Sequence, residues 1–169
     1  MGRIMIRILE GTIFIEDIEI FLSKIKEMRN CKDTVILALD ADKLAGKEHL
    51  MFAIEKAIDS FKTGRNIAND LGKEIMLYAS GTRQINRAMK IGVHNGKNNI
   101  VLVAIGDDVD QYVFDEIEIK PEDVMRYEES KNRVLMDIFN ITDEEIKAAG
   151  IEKIPELVLE RVALVDVLK

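Results

Sequence analysis

Thr34-Val-Ile-Leu-Ala-Leu39 runs without polar alternation until Asp40 ends it. A strand covered on both faces reads this way, so the segment is predicted to be buried and to lie centrally in a sheet. Upstream, Arg3 to Leu9 and Gly11 to Ile15 are Ile-rich with near alternation and are parted by Glu10-Gly11, which predicts two short paired strands or one bent strand. From Asp17 to Met28, the apolar residues Ile18, Phe21, Leu22 and Ile25 fall three and four apart and line one helical face. Downstream, Lys47 to Leu71 is predicted to be the longest helix, with a stripe of Leu50, Ala53, Ile54, Ala57, Ile58 and Phe61 and a bend or break at Gly64. Glu74-Ile-Met-Leu-Tyr-Ala79 reads as a second buried strand and Ser80-Gly81 as a turn. Thr82 to Ile91 reads as a helix with Ile85, Ala88 and Met89 inward, and Asn99 to Ile105 as a third strand. Strands alternating with helices predict an α/β or α+β fold, a single-layer central sheet flanked by helices. Nothing in the composition marks a linker, so one compact domain spanning 1–169 is expected.

The tail carries its own signals. Pro121 followed by Glu122 and Asp123 predicts a helix start, Thr142-Asp-Glu-Glu145 a capping box, and Gly150 a helix stop. Leu157, Val158, Leu159, Val162, Ala163, Leu164, Val165, Val167 and Leu168 would occupy nearly every direction of a helix. Either the segment is a buried terminal element, or one side packs on the core and the other on a partner.

With 47% apolar and 33% charged residues, the chain is too hydrophobic for disorder. No apolar run approaches the roughly 20 residues of a membrane span. Met1-Gly2-Arg3-Ile4 leads straight into strand-like sequence, so a soluble, cytoplasmic protein without a membrane partner is expected. The single cysteine, Cys31, permits no internal disulfide or thiolate cluster and is expected to be inert; with two histidines, no metal or cofactor is expected. The net charge of −7 hides a split: residues 56–97 carry 8 basic and 3 acidic residues, whereas residues 98–169 carry 8 and 18. A local cationic site on an otherwise repelling body favours specific over bulk capture of an anionic ligand.

Several familiar patterns fail. Gly92-Val-His-Asn-Gly-Lys97 has three residues between its glycines and Asn98 after the lysine, so it is not a phosphate-cradling Walker loop. His49 lacks the second histidine of a zinc helix and is expected on a helix surface or as a satisfied core residue. Asp40-Ala-Asp42 at a strand end, with Ser80 and Gly106-Asp-Asp108 after other strands, supplies the residue types of a haloacid-dehalogenase-like phosphatase working with magnesium. That enzymatic alternative suffers from Leu44 and from the strand and helix that precede the supposed nucleophile.

The basic middle is more informative. Arg83, Arg87 and Lys90 fall at i, i+4 and i+7, a stripe that on a helix opposes Ile85, Ala88 and Met89. Unpaired N–H groups of a helix beginning near Ser80-Gly81-Thr82, with Arg83 and Gln84, would make a site for a phosphate or a base edge. Arg65, four residues past Phe61, must be paired or line a pocket, and Gly64 would let a ligand backbone approach.

Phe61-Lys-Thr-Gly-Arg-Asn-Ile-Ala68, Glu74-Ile-Met-Leu-Tyr-Ala-Ser-Gly-Thr-Arg-Gln-Ile85 and Gly92, preceded by His49 and Ala57, resemble the signature of the small subunit of the KEOPS complex, the PRPK-binding protein family, in its archaeal form. The resemblance covers most of the chain in element order and is densest from His49 to Gly92. It implies a regulatory, non-catalytic subunit of the machine that forms threonylcarbamoyladenosine in tRNA, a tRNA-modification activity whose chemistry resides in the partners. Such a subunit binds and stimulates the complex's atypical kinase/ATPase directly, meets the other KEOPS subunits indirectly, and captures the single-stranded CCA end of tRNA. Carried onto this sequence, Arg65, Arg83 and Arg87 would hold phosphates, Asn66 and Gln84 would contact bases or ribose, and Tyr78 would stack, with Lys62, Gly64, Gly81 and Thr82 completing the tRNA-binding set. Leu157, Arg161, Leu164, Val165 and Leu168 are the expected kinase contacts.

Overall fold

A computed structural model describes residues 4–30 and 34–167, except the side chains of 29 and 30; Cys31 and Leu168 lie outside the described residues. The chain divides into two compact units, Met1–Ala41 with Gly92–Val124, and Asp42–Ile91 with Met125–Lys169.

The first unit holds a four-stranded antiparallel sheet in the order β2-β3-β1-β4 and one helix: β1 (Met5–Ile15), α1 (Ile18–Asn30), β2 (Val35–Asp40), β3 (Gly96–Gly106) and β4 (Lys120–Pro121). The α+β class is as expected. β1 is one unbroken strand paired with β3 from Met5↔Gly106 to Ile15↔Gly96. Gly11 is required there because a Cβ would stand 2.2 Å from the Lys120 carbonyl oxygen. The Thr34–Leu39 run does form a buried strand, but it lies at the sheet margin, paired with β3 alone. An apolar run reports two covered faces rather than two paired edges. Pro121 starts no helix; it sits in β4 opposite Gly11, where an edge strand tolerates the missing N–H. One face of the sheet packs Ile36, Ala38, Ile100, Leu102 and Ala104 against Ile25 of α1 and against Val109, Phe114 and Ile117.

Antiparallel pairing removes the phosphatase alternative. Asp40 pairs opposite Ile100, whereas Asp107 and Asp108 follow the far end of β3, so the acids stand about 20 Å apart along the strands. Phosphoryl-transfer sets of that kind gather at the carboxyl ends of parallel strands. Ser80 follows no strand; it closes a helix and donates to the Met76 carbonyl at 2.6 Å. Among the described residues no group of three or more His, Cys, Asp and Glu side chains is placed to hold a metal ion, and no helix is long and apolar enough to cross a membrane.

The second unit is helical: α2 (Lys47–Lys62), α3 (Leu71–Ser80), α4 (Ile85–Ala88), α5 (Asn132–Phe139), α6 (Asp143–Ala149) and α7 (Ile154–Leu164). The Glu74–Ala79 segment is helix, not strand. Asp70 caps α3 by accepting from the Gly72 N–H at 2.7 Å, and Gly81 ends it. Seven of its ten residues are buried, so neither a polar face nor an alternation survives in the sequence to betray the period. α2 ends at Lys62, so the break expected at Gly64, which takes φ 70°, is where the helix stops. The predicted helix from Thr82 to Ile91 shrinks to α4 and a following single turn, in which Ala88 is buried while Ile85 and Met89 are exposed. The capping box at Thr142 and Glu145 and the stop at Gly150 form as read. α7 buries Ile154, Val158 and Val162 and packs against Leu135, Phe139 and Ile141.

Candidate nucleic-acid interface

The basic stripe converges where α3 ends. Gly81 takes φ 67°, and the N–H groups of Gly81 and Thr82 return to the carbonyls of Tyr78 and Leu77, each at 3.1 Å. This left-handed stop favours glycine. A side chain is also excluded by contact, since a Cβ would meet Phe139 Cδ1 at 3.2 Å and Arg161 Cβ at 3.3 Å. Thr82 is buried and its hydroxyl accepts from the Gln84 N–H at 3.1 Å, which sets the turn into α4. Ser80 to Gln84, Arg87 and Lys90 form one wall of a cleft of about 360 Å³, and Asp137 to Asn140 with Arg161 form the other.

The physical basis of the site differs from the sequence expectation. Ser80-Gly81 is the C-terminal end of a helix, where the dipole repels anions, and α4 is too short to offer an N-terminal site. Attraction for an anion must therefore come from side chains. Arg83 donates to the Val165 carbonyl at 3.1 Å. Arg161 closes the end of α5, donating to the Phe139 carbonyl at 3.1 Å, the Asn140 carbonyl at 3.3 Å and Glu145 at 2.6 Å. Donation from Arg161, helped by the Thr142 N–H, holds the Glu145 carboxyl below its ordinary range. The side chains of Gln84, Arg87, Lys90 and Asp137 have no partner among the described residues. The cleft thus presents uncommitted donors for phosphates together with the Gln84 and Asn140 amides and one carboxylate that could meet base edges.

Of the expected tRNA-binding residues, Gly81, Thr82, Arg83, Gln84 and Arg87 are brought together. Lys62, Gly64, Arg65 and Asn66 are not. They lie at or just beyond the end of α2, before the start of α3, and do not line the cleft. Arg65 is exposed and donates to Thr63 at 2.9 Å and to Asp59 at 3.2 Å, while the Asn66 amide donates to the Ala68 carbonyl at 2.8 Å. Tyr78 cannot stack on a base: it is 2% exposed and its hydroxyl is committed to Asp166. Burial, reinforced by the Asp166 charge, pushes its pKa well above the ordinary tyrosine value. Lys90, Asp137, Asn140 and Arg161 complete the cleft and were missing from the expected set. Lys90 shared the stripe, but nothing local in the sequence marks the others, which enter from a distant stretch of chain.

The family model described as "Kinase binding protein CGI-121" matches residues 18–166. The chain belongs to the CGI-121 family. It is 34% identical over 133 residues to a protein of Methanocaldococcus jannaschii called "Regulatory protein Cgi121", covering 78% of this chain and 83% of that one. It is 39% identical over 61 residues, 36% of each chain, to a protein of Pyrococcus abyssi called "KEOPS complex subunit Cgi121".

In this CGI-121 chain the expected kinase contacts differ in exposure. Val165 is fully buried and so cannot face a partner, Leu157 is partly buried against the α5–α7 core, Arg161 lines the cleft, and Leu168 lies outside the described residues. Leu164 and Val167 are exposed, at 42% and 66%. The end of α7 is held beneath them by Asp166, which accepts from Lys56 and Tyr78. Burial would raise the Asp166 pKa, but those two donors outweigh it and hold the carboxyl below its usual value.

Proposed function

We propose that the chain is a non-catalytic regulatory subunit of a KEOPS complex, which binds and stimulates the complex's atypical kinase/ATPase and recruits tRNA through its 3′ CCA end. The family and the names of its relatives support the kinase-binding and complex-forming parts. One observation carries the recruiting part: Arg87, Lys90 and Gln84 stand without partners around a cleft sized for a nucleotide or two. A single-stranded end exposes phosphates and base edges together, which is what this mixture of fork, ammonium and amide can engage. The other KEOPS subunits would be met through the kinase.

Mobility shifts with native tRNA test the recruitment. Arg87→Glu, chosen because Arg83 also holds the last turn of α7, is expected to weaken binding at least tenfold, as is removal of CCA. With about three phosphates neutralised, log affinity should fall against log salt with a slope of about −2. Unchanged affinity in both cases would remove tRNA recruitment and leave a subunit that binds protein only.

For the kinase contact, the exposed apolar pair Leu164 and Val167 is the proposed surface. Leu164→Arg is expected to abolish co-purification of the kinase while leaving the circular dichroism spectrum intact. Undiminished co-purification would place the contact elsewhere.

A further inference from the structure

Among the described residues Asp137 is the one carboxylate lining the cleft, across from a wall that carries Arg83, Arg87 and Lys90. It lies in the last turn of α5, is exposed, and has neither a hydrogen bond nor an ion pair among the described residues. A carboxylate among cations ordinarily pairs with one of them. Here the two walls keep the charges apart, so the space between them suits a ligand that needs both. For a purely phosphate-binding cleft the residue is a liability, because its charge repels the backbone it faces. Its chemistry suits a different group. An ionised carboxylate only accepts hydrogen bonds. Among base edges it is matched by the exocyclic amino groups of cytosine, adenine and guanine, and opposed by the two carbonyl oxygens of uracil, which has no amino group.

We propose that Asp137 is the base-selecting residue of the cleft, accepting a hydrogen bond from an exocyclic amino group while Arg87 and Lys90 hold the adjoining phosphates. This rests on the reading of the cleft as the seat of a single-stranded RNA end. It gives that site a substrate class, single strands whose terminal bases carry amino groups, and a physical reason to reject others. Gln84, on the facing wall, offers both a donor and an acceptor and so adds contact without the same discrimination. Asp137 acts on preference, whereas the cations act on affinity for any sequence.

Fluorescence anisotropy with the full chain and short RNAs differing only at the 3′ end, CCA against UUA, tests this. The wild-type chain is expected to favour CCA by about tenfold, the discrimination of one well-placed base-edge hydrogen bond. Asp137→Asn, whose amide can rotate to meet either a donor or an acceptor, is expected to bring that ratio to near one while binding UUA more tightly, because a repelling charge is gone. Arg87→Glu should lower both affinities and leave the ratio intact. If Asp137→Asn keeps the wild-type preference, or if the wild-type chain binds both ends equally, the selecting role is overturned while recruitment stands. If neither RNA binds, the recruitment reading falls and takes this inference with it.

Discussion

Replacing Glu74 with alanine is expected to lower folding stability by about 3–5 kcal/mol, the largest effect of any single substitution considered for this chain. The side chain is fully buried in α3. Its Oε1 accepts from the N–H groups of Ile67 at 3.0 Å and Ala68 at 2.7 Å, and its Oε2 accepts from Ile67 at 3.1 Å and from the Ser60 hydroxyl at 2.7 Å. One carboxylate therefore joins α2 to α3 and shapes the backbone ahead of α3. Alanine would leave two half-buried backbone donors without their acceptor, each costing about 1–3 kcal/mol, while the Ser60 hydroxyl keeps the Ala57 carbonyl at 2.8 Å. Urea titration should show a lowered midpoint, and thermal melting a drop of about 10 °C. Glu74→Gln should recover part of the loss because one accepting oxygen remains. If both variants melt within a degree of the parent, the carboxylate does not hold the segment. Cleft binding of RNA should survive in the folded fraction, since Gly81 to Arg87 lie at the other end of α3.

The second large effect is a pH dependence centred on His49. Its Nδ1 accepts from the Ala45 N–H at 3.0 Å, its Nε2 meets the Ala79 carbonyl at 2.7 Å, and its ring packs edge-on against Phe139 at 5.5 Å between centroids. Burial, with the charge of Lys131 adding to it and the Ala79 carbonyl opposing, lowers its pKa from 6.5 to about 4. The folded chain thus binds this proton less readily than the unfolded chain. The stability held by neutral His49 is fully present above about pH 6.5 and is lost as pH falls toward 4, a total of about 3 kcal/mol. Melting temperature followed from pH 7 to pH 4 should fall steeply. In His49→Gln, whose amide can offer one acceptor and one donor without titrating, that part of the slope should vanish. An equal slope in both proteins would assign the acid sensitivity to carboxylates elsewhere.

His49 also shows how far local reading reaches. The missing second histidine was enough to set a zinc ligand aside, because metal spacing is a local property, but left a helix-surface and a core position equally open. The β2 run, the α1 stripe and the Thr142 capping box were legible for the same reason: each expresses a period or a cap within a few residues. α3 was misread because burial on nearly every side erases the polar face that marks a helix, although Asp70 and Gly81 bracket it with the two residue types that start and stop one. The position of β2 at the sheet margin was illegible in principle, since strand order belongs to pairings between distant segments.

The candidate site divides along the same line. Arg83, Arg87 and Lys90 were readable as one stripe because three- and four-residue spacings keep side chains on one side of even a short, interrupted helix. That Arg65 stands apart from them, that Tyr78 is sealed beneath the surface, and that Asp137, Asn140 and Arg161 supply the opposite wall depended on how α3, α5 and α7 pack. Sequence alone determined those local elements that show a period or a cap, together with the charge division and the family, because these are properties of neighbouring residues and of ordered motifs. Tertiary packing decided which side chains share a ligand, because a cleft is made by surfaces that meet only after residues dozens of positions apart have buried their apolar sides together.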